Sequence, residues 1–344
     1  MKQILLIIAT CCYAFASIAQ EVFFKSTQSY TGKELGTFYA SITLQHNLLL
    51  FNAPDYHLYA YDVNNATEKW NYYLNRKSDI PPFFSANTIL ANNDEQVIQL
   101  DTASGALLKS IPVTRLETAP ITKNGILYGT GIYDGGSLFA YHLEKDTLLW
   151  KIFLAHGVSE KPYYLPDKII ANAEGNNWLE VAYTGSLTDT TCKPLKDEFP
   201  SELPCVKKFL ALTHDGKEIR GKMAEKMGEP ERSNIWYTAK NTILVNHEQL
   251  FILGNNLTLK LAQPLSYFTD NMEVSGGPAK ILHVDEATLW MLYNDRLIEY
   301  NFRKKTLTKT TDLSSWSPHQ AILKNNRLWL ISRKDGLLYG ININ

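Results

Sequence analysis

The sequence predicts an all-β fold: a seven-bladed β-propeller of four-stranded blades, closed by an N-terminal strand that completes the C-terminal blade. Three observations carry this expectation. First, one phrase of hydrophobic, aromatic and aspartate residues recurs. Its clearest copy is Leu58-Tyr59-Ala60-Tyr61-Asp62, followed by Thr67-Glu68-Lys69-Trp70. Further copies are Val97-Ile98-Gln99-Leu100-Asp101 before Ser104-Gly105, and Leu138-Phe139-Ala140-Tyr141-His142 running to Leu149-Trp150. Second, the second-strand segments begin at Leu48, Thr88, Gly125, Lys168, Thr242, Leu289 and Arg327, in steps of 40, 37, 43, 74, 47 and 38 residues. All but one step lie close to the ~40-residue period of a propeller blade. Third, the two ends complement each other. The last repeat stops at Leu337-Leu338-Tyr339-Gly340-Ile341, a third strand, while Glu21-Val22-Phe23-Phe24-Lys25 reads as a fourth. Closing the ring this way leaves only short, protected edges.

The first 19 residues stand outside this pattern. Lys2 supplies a positive start, Ile4 to Phe15 is apolar but too short for a membrane span of about 20 residues, and Ser17-Ile18-Ala19 offers small residues for a signal peptidase. Residues 1–19 are therefore expected to be a signal peptide, with Gln20 the first residue of a single propeller domain spanning 20–344. Lipid anchoring at Cys11 or Cys12 is disfavoured, because little apolar sequence precedes them and a better ordinary cleavage site follows. The expected location is exported, periplasmic or extracellular, with no transmembrane segment.

The strands read as short alternating runs between turn residues. Pro82, Pro120, Pro162, Pro278 and Pro318 each precede or begin a hydrophobic run, where a missing amide costs no ladder bond. Ile235-Trp236-Tyr237 takes the equivalent place in blade 5. Asn64-Asn65, Ser104-Gly105, Asp215-Gly216, Asn325-Asn326 and Asp335-Gly336 sit where hairpins close. The long step holds an insertion, about 183–208, in blade 4. It contains Cys192 and Cys205, expected to pair in an oxidising compartment. That bridge closes a loop of about 14 residues, worth roughly 3 kcal/mol in the chain-entropy account.

The phrase at Leu58–Trp70, with its copies at Leu138–Trp150 and Phe209-Leu210-Ala211-Leu212 to Lys217, resembles the repeat of pyrroloquinoline-quinone-like propellers: hydrophobic-aromatic-Ala-Leu-Asp, then Thr-Gly-Lys, then Trp. The resemblance is strong in blades 1 to 4 and weak in blades 5 to 7. The quinoprotein dehydrogenases of that family are longer and eight-bladed, and hold the quinone with calcium ligands and an adjacent-cysteine disulfide. Here the only adjacent cysteines, Cys11 and Cys12, lie in the leader, and no calcium-ligand cluster is recognisable. The resemblance therefore points to the short, non-enzymatic branch that includes the BamB-like scaffold of outer-membrane protein assembly. It implies no cofactor and binding of proteins through loops on one face.

A formal net charge of −1 with scattered lysines and arginines argues against nucleic acid. No nucleophile-and-base motif is present, and the histidines are not paired at zinc spacing. Gly129-Thr130-Gly131 lacks the following helix that a dinucleotide loop needs. Asp62 and Asp101 are expected to accept turn amides, and His142 to serve the same hairpin position. The candidates left for function are strand-start aromatics and the loops joining one blade to the next. Phe38-Tyr39, Phe83-Phe84, Tyr163-Tyr164 and Trp236-Tyr237 pair aromatics whose alternate members face opposite ways. One ring of each pair is expected in the core and the other at the channel mouth, although both packing between blades is an open alternative. The candidate binding face comprises Arg76, Lys77, Phe84, Arg115, Tyr164, Arg232, Trp236, Trp316 and His319. The favoured reading is a monomeric binding scaffold for a protein partner. The alternatives are a carbohydrate- or peptide-binding aromatic mouth, and an enzyme whose site is not recognisable from spacing.

Overall fold

A computed structural model describes residues 20–132, 135–155, 161–172, 177–187, 207–208, 235–246, 248–254, 258–269 and 279–343. Its strands form seven antiparallel sheets of four, each ordered as in the chain except the last. Blade 1 is Ser41–Gln45, Leu48–Asn52, His57–Asp62 and Thr67–Tyr73. Blade 2 runs from Phe83–Ser85 to Leu107–Ile111, blade 3 from Ile121–Lys123 to Thr147–Ala155, and blade 4 from Tyr163–Tyr164 to Lys207–Lys208. Blade 5 runs from Ile235–Tyr237 to Leu259–Pro264 and blade 6 from Lys280–Val284 to Thr306–Asp312. Blade 7 joins Pro318–Lys324, Arg327–Ser332 and Leu338–Asn342 to the N-terminal strand Val22–Lys25. The expected seven-bladed ring and its closure by the N-terminal strand are both present.

The core is a set of seams between blades. Second and third strands are apolar on both faces, because each face is the wall of a different seam. Leu50, Leu58 and Ala60 of blade 1 meet Ile89, Ile98 and Leu100 of blade 2. Leu90 and Val97 on the other face of blade 2 meet Leu127, Phe139 and Tyr141 of blade 3. Trp329 and Leu338 of blade 7 meet Leu49, Phe51 and Tyr61 of blade 1, with Phe24 of the N-terminal strand between them.

One latch repeats across three seams. Trp70 Nε1 donates to the Thr102 carbonyl of blade 2 at 3.1 Å, and Trp150 Nε1 to the Tyr183 carbonyl of blade 4 at 3.1 Å. At the equivalent position of blade 2, Lys109 Nζ donates to the Leu143 carbonyl of blade 3. The indoles lie on glycines of the next blade's third turn. A Cβ on Gly105 would stand 2.5 Å from Trp70, and one on Gly185 2.5 Å from Trp150. The turn positions behave as the repeat requires. Asp62 Oδ1 accepts from the Asn64 amide, Asp101 Oδ1 from the Ser104 amide, Asn301 Oδ1 from Lys304 and His142 Nδ1 from Lys145.

In blade 4, Val181 pairs with Leu187, then Trp178 pairs with Lys207. Leu187 and Lys207 thus both pair with the third strand of blade 4. Cys192, Cys205, Arg232, residues 1–19 and the Phe209–Leu212 repeat copy lie outside the described residues. No helix among the described residues is long and apolar enough to cross a membrane.

Candidate binding faces

The connections from one blade's fourth strand to the next blade's first share a face of the ring with the turns between second and third strands. Among the described residues, five such connections leave from a buried aliphatic residue: Leu74, Val113, Leu154, Leu265 and Leu313 in blades 1, 2, 3, 5 and 6. In three of them its amide also bonds a carbonyl of the blade's own turn: Leu74 to Tyr56, Leu265 to Glu248 and Leu313 to Asp295. Two residues beyond Leu74 and Val113 stand Arg76 and Arg115, on successive connections. Asn92, buried at the end of the second strand of blade 2, fixes Arg115's neighbour from both sides. Its Nδ2 donates to the Leu116 carbonyl and its Oδ1 accepts the Leu116 amide, each at 2.8 Å.

Arg76 is half-buried, and its Nε has no hydrogen-bond partner. Burial and the like charge of Arg115 hold its guanidinium below the usual range, against a smaller opposing effect of Asp94. Lys77 donates to the Glu34 and Thr37 carbonyls and stands 5.2 Å over the Tyr56 ring. Burial lowers its ammonium. Three tyrosines of blade 1 and its flanking loops have large exposed areas: Tyr39 at 47%, Tyr56 at 38% and Tyr73 at 54%. Tyr56 and Tyr73 are neighbours, since the Leu74 amide bonds the Tyr56 carbonyl and His57 contacts the Tyr73 ring at 5.0 Å. Tyr56 holds φ at +69°, in the left-handed region that a bulky side chain rarely adopts.

His319 lies nearer the axis and is only 8% exposed. Its Nε2 is 2.7 Å from Asp79 Oδ1, which also accepts the Ala40 amide at 3.1 Å. The Phe38 ring meets it edge-on at 5.1 Å. Next to it, Gln320 accepts the Ile42 amide and donates to the Asp79 carbonyl, and Lys280 Nζ donates to the His319 carbonyl. This cluster ties the inner strands of blades 6, 7 and 1 to the connection leading into blade 2. The second ring nitrogen, Nδ1, is buried without a partner, so no accessible base is presented. Among the described residues, no three His, Cys, Asp or Glu side chains converge as a metal site would need.

The structure sets Arg76 near Arg115 and Lys77 over Tyr56, and places the other described candidates elsewhere. Phe83 packs into the seam of blades 2 and 3 and Phe84 into that of blades 1 and 2, facing the opposite end of the ring. Tyr164 packs against blade 3, its hydroxyl donating to the Tyr128 carbonyl at 3.3 Å. Trp236 packs into the seam with blade 6, edge-on to His283. Trp316 is half-buried against Tyr339. An inner strand has a seam on each side, so Phe83 and Phe84 fill two seams, whereas at the start of blade 1 Phe38 packs inward and Tyr39 stays exposed. Sequence reasoning passed over Asn92, Asp79 and Tyr56. Only Asn92 had a signal, the asparagine ending the second strand in blades 1, 2 and 4 as Asn52, Asn92 and Asn172.

The class this geometry defines is a closed seven-bladed propeller with one tyrosine- and arginine-bearing loop face. No protein-family model matches the chain, and no curated protein matches it. Solved structures do. Sqt1 from Saccharomyces cerevisiae is 10% identical over 94% of this chain and 99% of its own, with a TM-score of 0.66. The computationally designed protein Ika8 is 11% identical over 94% of this chain and 100% of its own, at 0.56. BamB from Moraxella catarrhalis is 13% identical over 88% of this chain and 81% of its own, at 0.46. At such identities the likeness is one of fold, and that to BamB is too distant to support any argument about binding.

Proposed function

We propose that this chain is an exported, non-enzymatic propeller of the pyrroloquinoline-quinone-like kind, acting in the cell envelope as a scaffold that binds a protein partner through the loop face of blades 1 and 2. The observation that carries this reading is that blade 1 leaves Tyr39, Tyr56 and Tyr73 exposed, with Lys77 over the Tyr56 ring and Arg76 beside it in sequence. Tyrosine and arginine are the residues enriched at the centres of protein interfaces. Here they stand on a rigid frame, with Tyr56 held in a backbone state costing about 1–3 kcal/mol, a kind of strain that concentrates at functional sites. Export with cleavage after Ala19 is compatible with closure of the ring. Gln20 Nε2 bonds the Asp312 carbonyl and the Glu21 carbonyl accepts the Asn342 amide, so cleavage after Ala19 leaves every closing residue in place. Two oxidised cysteines, Cys192 and Cys205, would pin the excursion from blade 4.

The test is photo-crosslinking in the native envelope from a reactive residue placed at Tyr39, Tyr73 or, on the outer rim, Leu149. A discrete adduct from the two tyrosine positions and none from Leu149 is expected. Equal labelling from all three, or none, overturns the reading. N-terminal sequencing of the same sample should begin at Gln20, and its intact mass should be that of a disulfide-bonded chain.

A further inference from the structure

On the end of the ring opposite the loop face, the hairpin turns of blades 1 and 2 stand apart and enclose a cleft of about 570 Å³, within the size range of small-ligand sites. We propose that this cleft is a binding site for an uncharged saccharide. The proposal goes beyond the protein-partner reading and does not depend on it. The half-buried Phe84 ring supplies one wall, an apolar surface on which the C–H face of a sugar ring can lie. Asp62 and Asp101 supply the acceptors. The Oδ1 of each is already held by its own turn, Asp62 by the Asn64 amide at 2.9 Å and Asp101 by Ser104 Oγ at 2.7 Å. The second oxygen of each carboxylate has no hydrogen-bond partner among the described residues. Both carboxylates are thus fixed in place with one oxygen free for a hydroxyl.

Lys69 supplies the donor. It is the extra residue of the bulge in the fourth strand of blade 1, where pairing slips between Ala60 and Tyr61. Bulges re-aim a side chain, and this one sets an ammonium with no partner among the described residues at the cleft. The same bulge carries Leu108 and Leu149 in blades 2 and 3, Lys260 in blade 5 and Thr308 in blade 6. Lys260 is held by the Lys240 carbonyl and Asn241 Oδ1, whereas Lys69 has no such partner among the described residues. Two carboxylates against one ammonium make the cleft unfavourable for an anion. Mixed donors and acceptors beside an aromatic wall suit a neutral polyol.

The ligand can be longer than one unit. A second cleft of about 310 Å³ begins on the other side of the same His46-Asn47 turn, and Asn64 and Asn325 line it. A chain crossing that turn would reach both.

Calorimetric titration of the full chain with maltotriose, cellotriose and chitotriose tests this. At least one should bind, and a galacturonate trimer should bind more weakly than that sugar. Lys69→Met and Asp101→Asn should each lower the affinity at least tenfold with an unchanged melting temperature, because Lys69 supports nothing else and asparagine keeps the turn acceptor. Tyr56→Gly on the loop face should leave saccharide affinity as it was. No binding of any of the three, equal affinity in both cleft variants, or tighter binding of the uronate overturns the proposal.

Discussion

Gly105 and Gly125 separate two effects that are usually confounded. Their φ values are nearly the same, +70° and +73°. A methyl group at Gly125 meets nothing nearer than His142 at 4.0 Å, whereas one at Gly105 meets the Trp70 indole at 2.5 Å. Gly125→Ala should therefore cost only the left-handed backbone penalty, about 1–2 kcal/mol. Gly105→Ala should cost clearly more and release the Trp70 latch. Urea midpoints of the two variants decide it, and equal shifts would show that the indole gives way freely. Asp101, on the same turn, has its carboxyl held below its ordinary value of 3.8, first by the Ser104 hydroxyl and then by the Ser104 amide. A depressed folded value means that this contribution is present above the unfolded value and is lost as pH falls through the folded one. In Ser104→Ala, a carboxyl carbon titration followed by NMR should find Asp101 moved back up. Tyr56 presents the opposite case, a residue whose backbone suits glycine. Tyr56→Gly should not lower the melting temperature, yet should abolish crosslinking from Tyr73, which separates binding from folding.

Fourth strands carry the latches between blades, and they show what was readable in the sequence. The tryptophans at 70 and 150 were legible because each closes a local phrase, with a glycine in the next repeat. The equivalent Lys109 was not, although it bonds the matching carbonyl of blade 3. A lysine resembles a tryptophan only in carrying a long apolar stem with a donor at its tip. The same limit applies to His319 and Asp79, which meet across 240 residues of sequence with no local pattern to join them. The strand-start aromatics divide as alternation predicts at Phe38-Tyr39, one packed and one exposed, but not at Phe83-Phe84, where both pack. Alternation gives two faces, but only the ring shows that both faces of an inner strand are seams. The fourth strands of blades 1, 2, 3, 5 and 6 also end on a buried aliphatic that seats the loop face. Leu313 is fully buried, and Leu313→Ala should cost about 2–5 kcal/mol. Leu149, exposed on the rim, should change stability by no more than about 0.5 kcal/mol when truncated. A comparable loss at Leu149 would mean that the rim is covered in solution.

At the scale of the whole molecule, stability depends on closure, because each blade exposes two apolar faces unless both neighbours are present. The N-terminal strand closes the last seam in two ways. It pairs Val22 with Ile341, Phe24 with Gly340 and Lys25 with Tyr339, covering the edge of blade 7. It also drives Phe24 between blades, 5.2 Å from Tyr61 of blade 1 and 5.3 Å from Trp329 of blade 7. Phe23 lies on Gly340 and meets Trp329 edge-on at 5.1 Å. A chain beginning at Ser26 loses the ladder and both rings while keeping six intact blades. Local opening should then concentrate in blade 7. Amides of Leu338–Asn342 should exchange with solvent far faster than those of Leu289–Tyr293 in blade 6, and the bared edge should make the chain associate at concentrations where the full chain stays monomeric. Phe24→Ala keeps the ladder and removes only the wedge. It should cost about 3–5 kcal/mol and shorten exchange lifetimes on both sides of the seam, in blades 7 and 1 alike. If the shortened chain unfolds in one transition at the full chain's urea midpoint, the ring does not need its N-terminal strand, and the wedge at Phe24 is packing without consequence.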